Sequence, residues 1–154
     1  ARLAMRVGDA ATIGAGTVLD PADITRIADA GGRIIVSPHA DTAVIAASAA
    51  AGLVSAPGYF TPTEAFAALD AGAHALKLFP AEAASPAVLK AQRAVLPKDV
   101  PILIVGGIGP GDMRAYLDAG ANGFGLGSGL YSPGRPAGEV ATRARAYVAA
   151  LRTD

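Results

Sequence analysis

The sequence predicts a parallel α/β fold assembled from one βα unit repeated along the chain, and three observations carry that prediction. Six short apolar runs read as buried strands, the segments between them have helical periodicity, and glycine closes those segments at intervals of about 20 residues or a multiple of it. The strand runs are near-continuous in apolar residues rather than alternating, the mark of parallel strands covered on both faces.

Taken in chain order, Thr12 to Ala15 is the first strand, and Asp20-Pro21 opens a helix that closes at Asp29-Ala30-Gly31. Ile34 to Ser37 follows, then a helix closing at Ala50-Ala51-Gly52, and Leu53 to Ala56 is the third strand. Thr61-Pro62-Thr63-Glu64 opens the next helix and Asp70-Ala71-Gly72 ends it, ahead of the strand Ala75 to Phe79. Ser85-Pro86 begins a unit that ends at Leu96-Pro97, before Ile102 to Val105. Gly109-Pro110-Gly111-Asp112 opens a last helix that closes at Asp118-Ala119-Gly120, before Gly123 to Leu126. Proline suits a first helical turn, where its missing N–H costs little, and glycine suits a left-handed exit.

Polar or glycine-rich signals sit at the C-terminal ends of most of these strands. In a closed parallel barrel those ends surround one site, whereas a doubly wound sheet would gather them at a single switch point behind a G-x-G-x-x-G turn, and none follows the first strand. The reading is therefore a single (β/α)8 TIM barrel domain spanning 1–154. Such a barrel has eight strands in typically about 250 residues. Six units are visible, so this chain is expected to supply the last six βα units, with two N-terminal units absent.

Composition narrows the function. The 154 residues are 52% hydrophobic, enough for a real core, and 13 basic residues balance 13 acidic ones without a run of either sign, which argues against nucleic acid as a partner. There is no cysteine, and the two histidines lack a carboxylate cluster at ligand spacing, so neither thiolate chemistry nor a metal is expected. No run approaches the roughly 20 apolar residues of a membrane span, and no secretory leader is recognisable, which makes the cytoplasm the expected location. The chain opens Ala1-Arg2-Leu3 without a methionine and is expected to be a processed or incomplete form.

Lys77, in Ala75-Leu76-Lys77-Leu78-Phe79-Pro80, is the unusual residue. With its ammonium turned into the barrel, desolvation would lower its pKa and free the amine to form a Schiff base. With its stem along the strand and its head in water it would be an ordinary lysine. Position alone leaves both open. Gly106-Gly107-Ile108-Gly109 and Gly127-Ser128-Gly129 end adjacent strands, where backbone N–H groups, aided by a following helix N-terminus, can cradle a phosphate. As the seventh and eighth barrel strands, theirs are the positions where barrels commonly hold one. Thr17 and the Ser37-Pro38-His39 turn also sit at strand ends, suited to a small carboxylate. His39 and His74 take no role in this reading, Glu64 caps a helix with Thr61, and Glu82 is a possible acid near the lysine strand.

With these residues in place, the sequence resembles the family of 2-keto-3-deoxy-6-phosphogluconate and 2-dehydro-3-deoxy-6-phosphogalactonate aldolases. Gly14-Ala15-Gly16-Thr17-Val18-Leu19, Val36-Ser37-Pro38, Pro57-Gly58, Thr61-Pro62-Thr63-Glu64-Ala65, Leu76-Lys77-Leu78-Phe79-Pro80 and Val105-Gly106-Gly107 carry the resemblance, in the family's order and spacing. It implies a class I, metal-free and cofactor-free aldolase that forms homotrimers and cleaves a phosphorylated keto acid to pyruvate and glyceraldehyde 3-phosphate, with Lys77 as the Schiff-base lysine. It also implies Thr17, Pro38 and Phe79 at the pyruvate end and Gly106, Gly107, Gly127 and Ser128 at the phosphate. Val105, where the gluconate enzymes tend to have threonine, points with Gly125 to Gly134 to the galactonate branch. The family's general acid/base glutamate and an arginine lie on the two strands that would precede Ala1, so the isolated chain is expected to be nearly inactive. The alternatives are another phosphate-binding barrel, such as a phosphosugar epimerase or a thiamin phosphate synthase-like enzyme, and an inactive ligand-binding fragment.

Overall fold

The computed structural model describes residues 1–152, and the chain divides into two compact units, Ala1–Lys77 and Leu78–Asp154. The first opens on α1 (Arg2–Val7) and a 3-10 turn (Gly8–Ala10). There follow β1 (Gly14–Gly16), α2 (Asp23–Asp29), β2 (Ile34–Val36), α3 (Thr42–Ala50), β3 (Val54–Ala56), β4 (Gly58–Tyr59), α4 (Pro62–Asp70) and β5 (Leu76–Leu78), which runs on into the second unit. β1, β2 and β3 lie side by side in that order, all parallel, with Ala15 opposite Ile35 and Ile35 opposite Ser55. The predicted βα alternation and parallel pairing are both present.

Val18, Ile24, Ile35, Val44 and Leu53 form a buried cluster of this unit, joined by Ala15, Ile27, Ala28 and Ala47. Burying each large member contributes roughly 1.5–3 kcal/mol. β1 starts and ends later than the predicted Thr12 to Ala15, with Gly14 inside both spans. A side chain there would strike the Ile34 carbonyl of the neighbouring strand, so glycine is required by close approach where it would otherwise read as a breaker. Pro21 does not open α2: the Asp20 carboxylate accepts from Ala22 N at 2.9 Å, making a turn from which the helix starts at Asp23. Asp41, which the sequence reading passed over, caps α3 by accepting from Ala43 N and Val44 N at 2.9 and 3.0 Å. The Thr61-Glu64 capping box of α4 forms as expected. All four predicted glycine exits have positive φ, from 70° at Gly52 to 103° at Gly120.

The second unit contains a 3-10 turn (Ala81–Ala83), α5 (Pro86–Arg93), β6 (Ile102–Val105), a 3-10 turn (Pro110–Asp112), α6 (Met113–Asp118), β7 (Gly123–Gly125) and α7 (Ala137–Leu151). β6 and β7 pair in parallel with Ile104 opposite Phe124. Instead of a glycine exit, α5 ends on Arg93, whose guanidinium donates to the carbonyls of Val100 and Gly120 at 2.8 Å each and to the Asn122 side chain. Asn122 in turn accepts from Ile102 N at 2.9 Å, so one arginine ties the loops that lead into β6 and β7.

Candidate active site

β5 is buried along its whole length, which is what gives a lysine in it unusual properties. Lys77 is 8% exposed, and among the described residues it is the only lysine, arginine, aspartate or glutamate that is buried. Its backbone N–H donates to Pro57 O at 2.9 Å, and its ammonium donates to the Ser37 carbonyl oxygen at 3.5 Å, a long hydrogen bond. Burial lowers the pKa of the amine below its ordinary 10.5, because desolvation penalises the charged form. The stem does not carry the head out to water.

The Ser37 carbonyl also accepts from Gly58 N at 3.0 Å, and the Ser37 hydroxyl donates to His39 O at 3.0 Å, which folds the Ser37-Pro38-His39 turn at the end of β2. Gly58 is glycine because a side chain there would strike the backbone of Pro38. Thr17 follows the end of β1, and the next residue, Val18, donates from its N–H to Val36 O at 3.3 Å, so Thr17 and Pro38 stand at neighbouring ends of parallel strands. Thr17 has φ of 57° and is the only non-glycine residue with a positive φ among those described. For a β-branched residue that conformation is an outlier of the kind that clusters at functional sites, and nothing in the sequence announced it.

In the second unit, Phe79, Val105, Gly106, Gly107, Gly127 and Ser128 line one cavity of about 430 Å³, with Glu82 and Tyr147 on its wall. That volume suits a small metabolite. Val105 packs against Gly125, its register partner: a Cβ on Gly125 would lie 2.6 Å from Val105 Cγ2. Gly106 and Gly107 have φ of 114° and 63°, and the Glu82 side chain lies where their Cβ atoms would be, which places the possible acid on the glycine turn. Among the described residues, nothing in the chain accepts a hydrogen bond from the N–H groups of Gly106, Gly107, Ile108, Gly127, Ser128 or Gly129. The expected helix N-terminus behind the second loop is absent, since α7 begins only at Ala137.

His74 is structural: its Nδ1 accepts from Ser55 N at 3.3 Å. His39 is half exposed, 3.9 Å from Asp41. Among the described residues no group of three or more histidine, aspartate or glutamate side chains is placed to hold a metal, and no helix is long and apolar enough to cross a membrane.

A parallel α/β frame with a buried, charge-disfavouring lysine and a glycine-lined cavity defines the class of protein. The particular family follows from comparison. The family model described as KDPG and KHG aldolase matches residues 1–139, and the chain belongs to that family. It is 52% identical over 138 residues to a probable 2-dehydro-3-deoxy-6-phosphogalactonate aldolase of Rhizobium meliloti (strain 1021), covering 90% of this chain and 65% of that protein. It is 46% identical over 145 residues to the 2-dehydro-3-deoxy-6-phosphogalactonate aldolase of Escherichia coli (strain K12), covering 94% and 71%. The solved structure described as native KDPGal superposes with a TM-score of 0.96 at 44% identity, covering 98% of this chain and 73% of that one. The chain thus spans about two thirds of the length of the curated relatives it matches.

Proposed function

We propose that this chain is the Schiff-base and phosphate-binding part of a class I aldolase that cleaves 2-dehydro-3-deoxy-6-phosphogalactonate to pyruvate and glyceraldehyde 3-phosphate. The observation that carries the proposal is the burial of Lys77 with its pKa lowered, in a family of aldolases. The neutral Lys77 amine adds to the C2 carbonyl and loses water to give an imine. Breaking the C3–C4 bond sends its electron pair into that imine as an enamine, while the C4 hydroxyl gives up its proton and leaves as the aldehyde. Protonation at C3 and hydrolysis then release pyruvate and restore the amine.

Thr17 and Pro38 are assigned to the pyruvate end because they stand at the strand ends beside the Ser37 carbonyl that receives Lys77. Phe79 joins them on the resemblance alone. Gly106, Gly107, Gly127 and Ser128 are assigned to the phosphate, supported by the unpartnered N–H groups around one cavity. Val105, on the wall of that cavity, supports the galactonate over the gluconate substrate. The chain is read as one domain, the last six units of a (β/α)8 barrel, supported by glycine loops after β6 and β7, where strands seven and eight of such barrels commonly bind phosphate. Assembly as a homotrimer and a cytoplasmic location rest on the family resemblance.

The test is cleavage measured under single-turnover conditions, with pyruvate and glyceraldehyde 3-phosphate quantified separately. Slow release of the two products in equal yields from the galactonate substrate, lost in Lys77→Ala, is expected. Turnover that survives Lys77→Ala would turn the assignment to a lysine-independent phosphate-binding barrel.

A further inference from the structure

The two glycine loops of the cavity present unpartnered N–H groups, while several of their carbonyl oxygens are held by donors from α7 and from Arg135 just ahead of it. Tyr147, 6% exposed, donates its hydroxyl to Ile108 O at 2.9 Å. Arg135, just ahead of the helix, donates to Ser128 O at 3.0 Å and to Gly129 O at 3.4 Å, and Arg143 donates to Gly129 O at 3.1 Å. Glu139 keeps both guanidiniums in place, accepting from Arg143 Nε at 2.9 Å and lying 3.3 Å from Arg135 Nε. Gly129 is glycine for the same reason: a Cβ there would lie 2.6 Å from the Tyr147 hydroxyl oxygen.

The consequence follows from peptide geometry. In a trans peptide the C=O and the next N–H point in opposite directions. Gly127 O accepts from Leu130 N and Tyr131 N, and Ser128 O is held by Arg135, so the N–H groups of Ser128 and Gly129 are turned away from those donors and fixed there. Tyr147 acts on spacing instead, since the N–H opposite the Ile108 carbonyl is that of Gly109, which donates to Asp112 Oδ2 at 2.8 Å: the phenol fastens the first loop at Ile108 while its ring end fills the space beside Gly129 of the second, setting the separation of the two loops. Backbone donors fixed before the ligand arrives bind an anion without a further cost of ordering.

We infer that α7 and the Arg135 that leads into it are the positioning element of the anion cradle, with Arg135 turning the Gly129 N–H through the Ser128 carbonyl and Tyr147 setting the spacing of the loops, neither as a ligand of the anion. This rests on the phosphate reading of the cavity. Arg135 is held by the Ser128 and Gly129 carbonyls and by Glu139, and acts through them.

The test is binding of inorganic phosphate to the whole chain, followed by phosphorus NMR, for the unmodified protein and for Tyr147→Phe, Arg135→Met and Arg135→Lys. Each substitution is expected to weaken phosphate binding about fivefold to tenfold, the scale of one hydrogen bond that orders a loop, and by more than it weakens pyruvate binding. Arg135→Lys is expected to behave like Arg135→Met, because one ammonium cannot serve both Ser128 O and Glu139. Phosphate binding restored by Arg135→Lys would overturn the inference in favour of a direct charge contact. Equal affinity in all four proteins would overturn it while leaving the cradle standing. No phosphate binding by the unmodified protein would overturn cradle and positioning together.

Discussion

The Lys77 ammonium donates to the Ser37 carbonyl oxygen across 3.5 Å, from a side chain that is only 8% exposed. Burial takes the charged form out of water, which is why the amine is more acidic than a free lysine. Its folded pKa lies below the unfolded 10.5, so the folded state is penalised while the group is charged, and the penalty lifts as pH rises through the folded value. Imine formation with pyruvate is therefore expected to rise with pH along a titration whose midpoint is below 10.5. Lys77→Met should abolish the imine and leave the melting temperature at pH 7 unchanged or raised; a large fall would show that the charge stabilises the fold.

Thr17 gives a second trade of stability against function. Its left-handed φ of 57° costs a β-branched residue on the order of 1 kcal/mol. Thr17→Gly is expected to stabilise the chain by up to about 1 kcal/mol in urea unfolding, with glycine's looser unfolded state offsetting part of the gain. It should at the same time lower the yield of the pyruvate imine. A variant that loses stability would place Thr17 among the structural residues.

Gly125 and Val105 should be coupled. A Cβ on Gly125 would lie 2.6 Å from Val105 Cγ2 and 3.1 Å from Cγ1. Gly125→Ala is expected to cost about 1–3 kcal/mol by overpacking. Adding Val105→Ala should recover part of that loss, and a double-mutant cycle reads the coupling directly.

The α4 cap sets part of the acid sensitivity. Glu64 accepts from Phe60 N at 2.9 Å, Thr61 N at 2.7 Å and the Thr61 hydroxyl at 2.9 Å, which draws its pKa below 4.5. The stabilisation is complete above the unfolded value near 4.5 and is lost as pH falls through the lower folded value. Thr61→Ala is expected to cost about 1 kcal/mol at pH 7. The gap between wild type and Glu64→Gln should narrow as urea melts are repeated toward pH 3.

The parallel βα order was legible because its signals are local: apolar runs, proline at helix starts and glycine at exits. Lys77 and the two glycine loops were legible because such residues are conspicuous at the ends of apolar strands. The rest depended on contacts between distant residues. Gly14 has to be glycine only because Ile34 lies against it, and Thr17 is strained only in its three-dimensional setting. α1 and α7 begin without a side-chain cap, so neither announced its start. Tyr147 is one aromatic residue in a helix until its hydroxyl is seen on Ile108, a contact made 39 positions away.

The central claim is that Lys77 is the nucleophile, and trapping tests it most directly. The protein is incubated with pyruvate, reduced with borohydride and mapped by mass spectrometry. One reduced adduct is expected, on the peptide containing Lys77. An adduct confined to Lys90 or Lys98, or none on Lys77 under conditions where the folded protein persists, would contradict it.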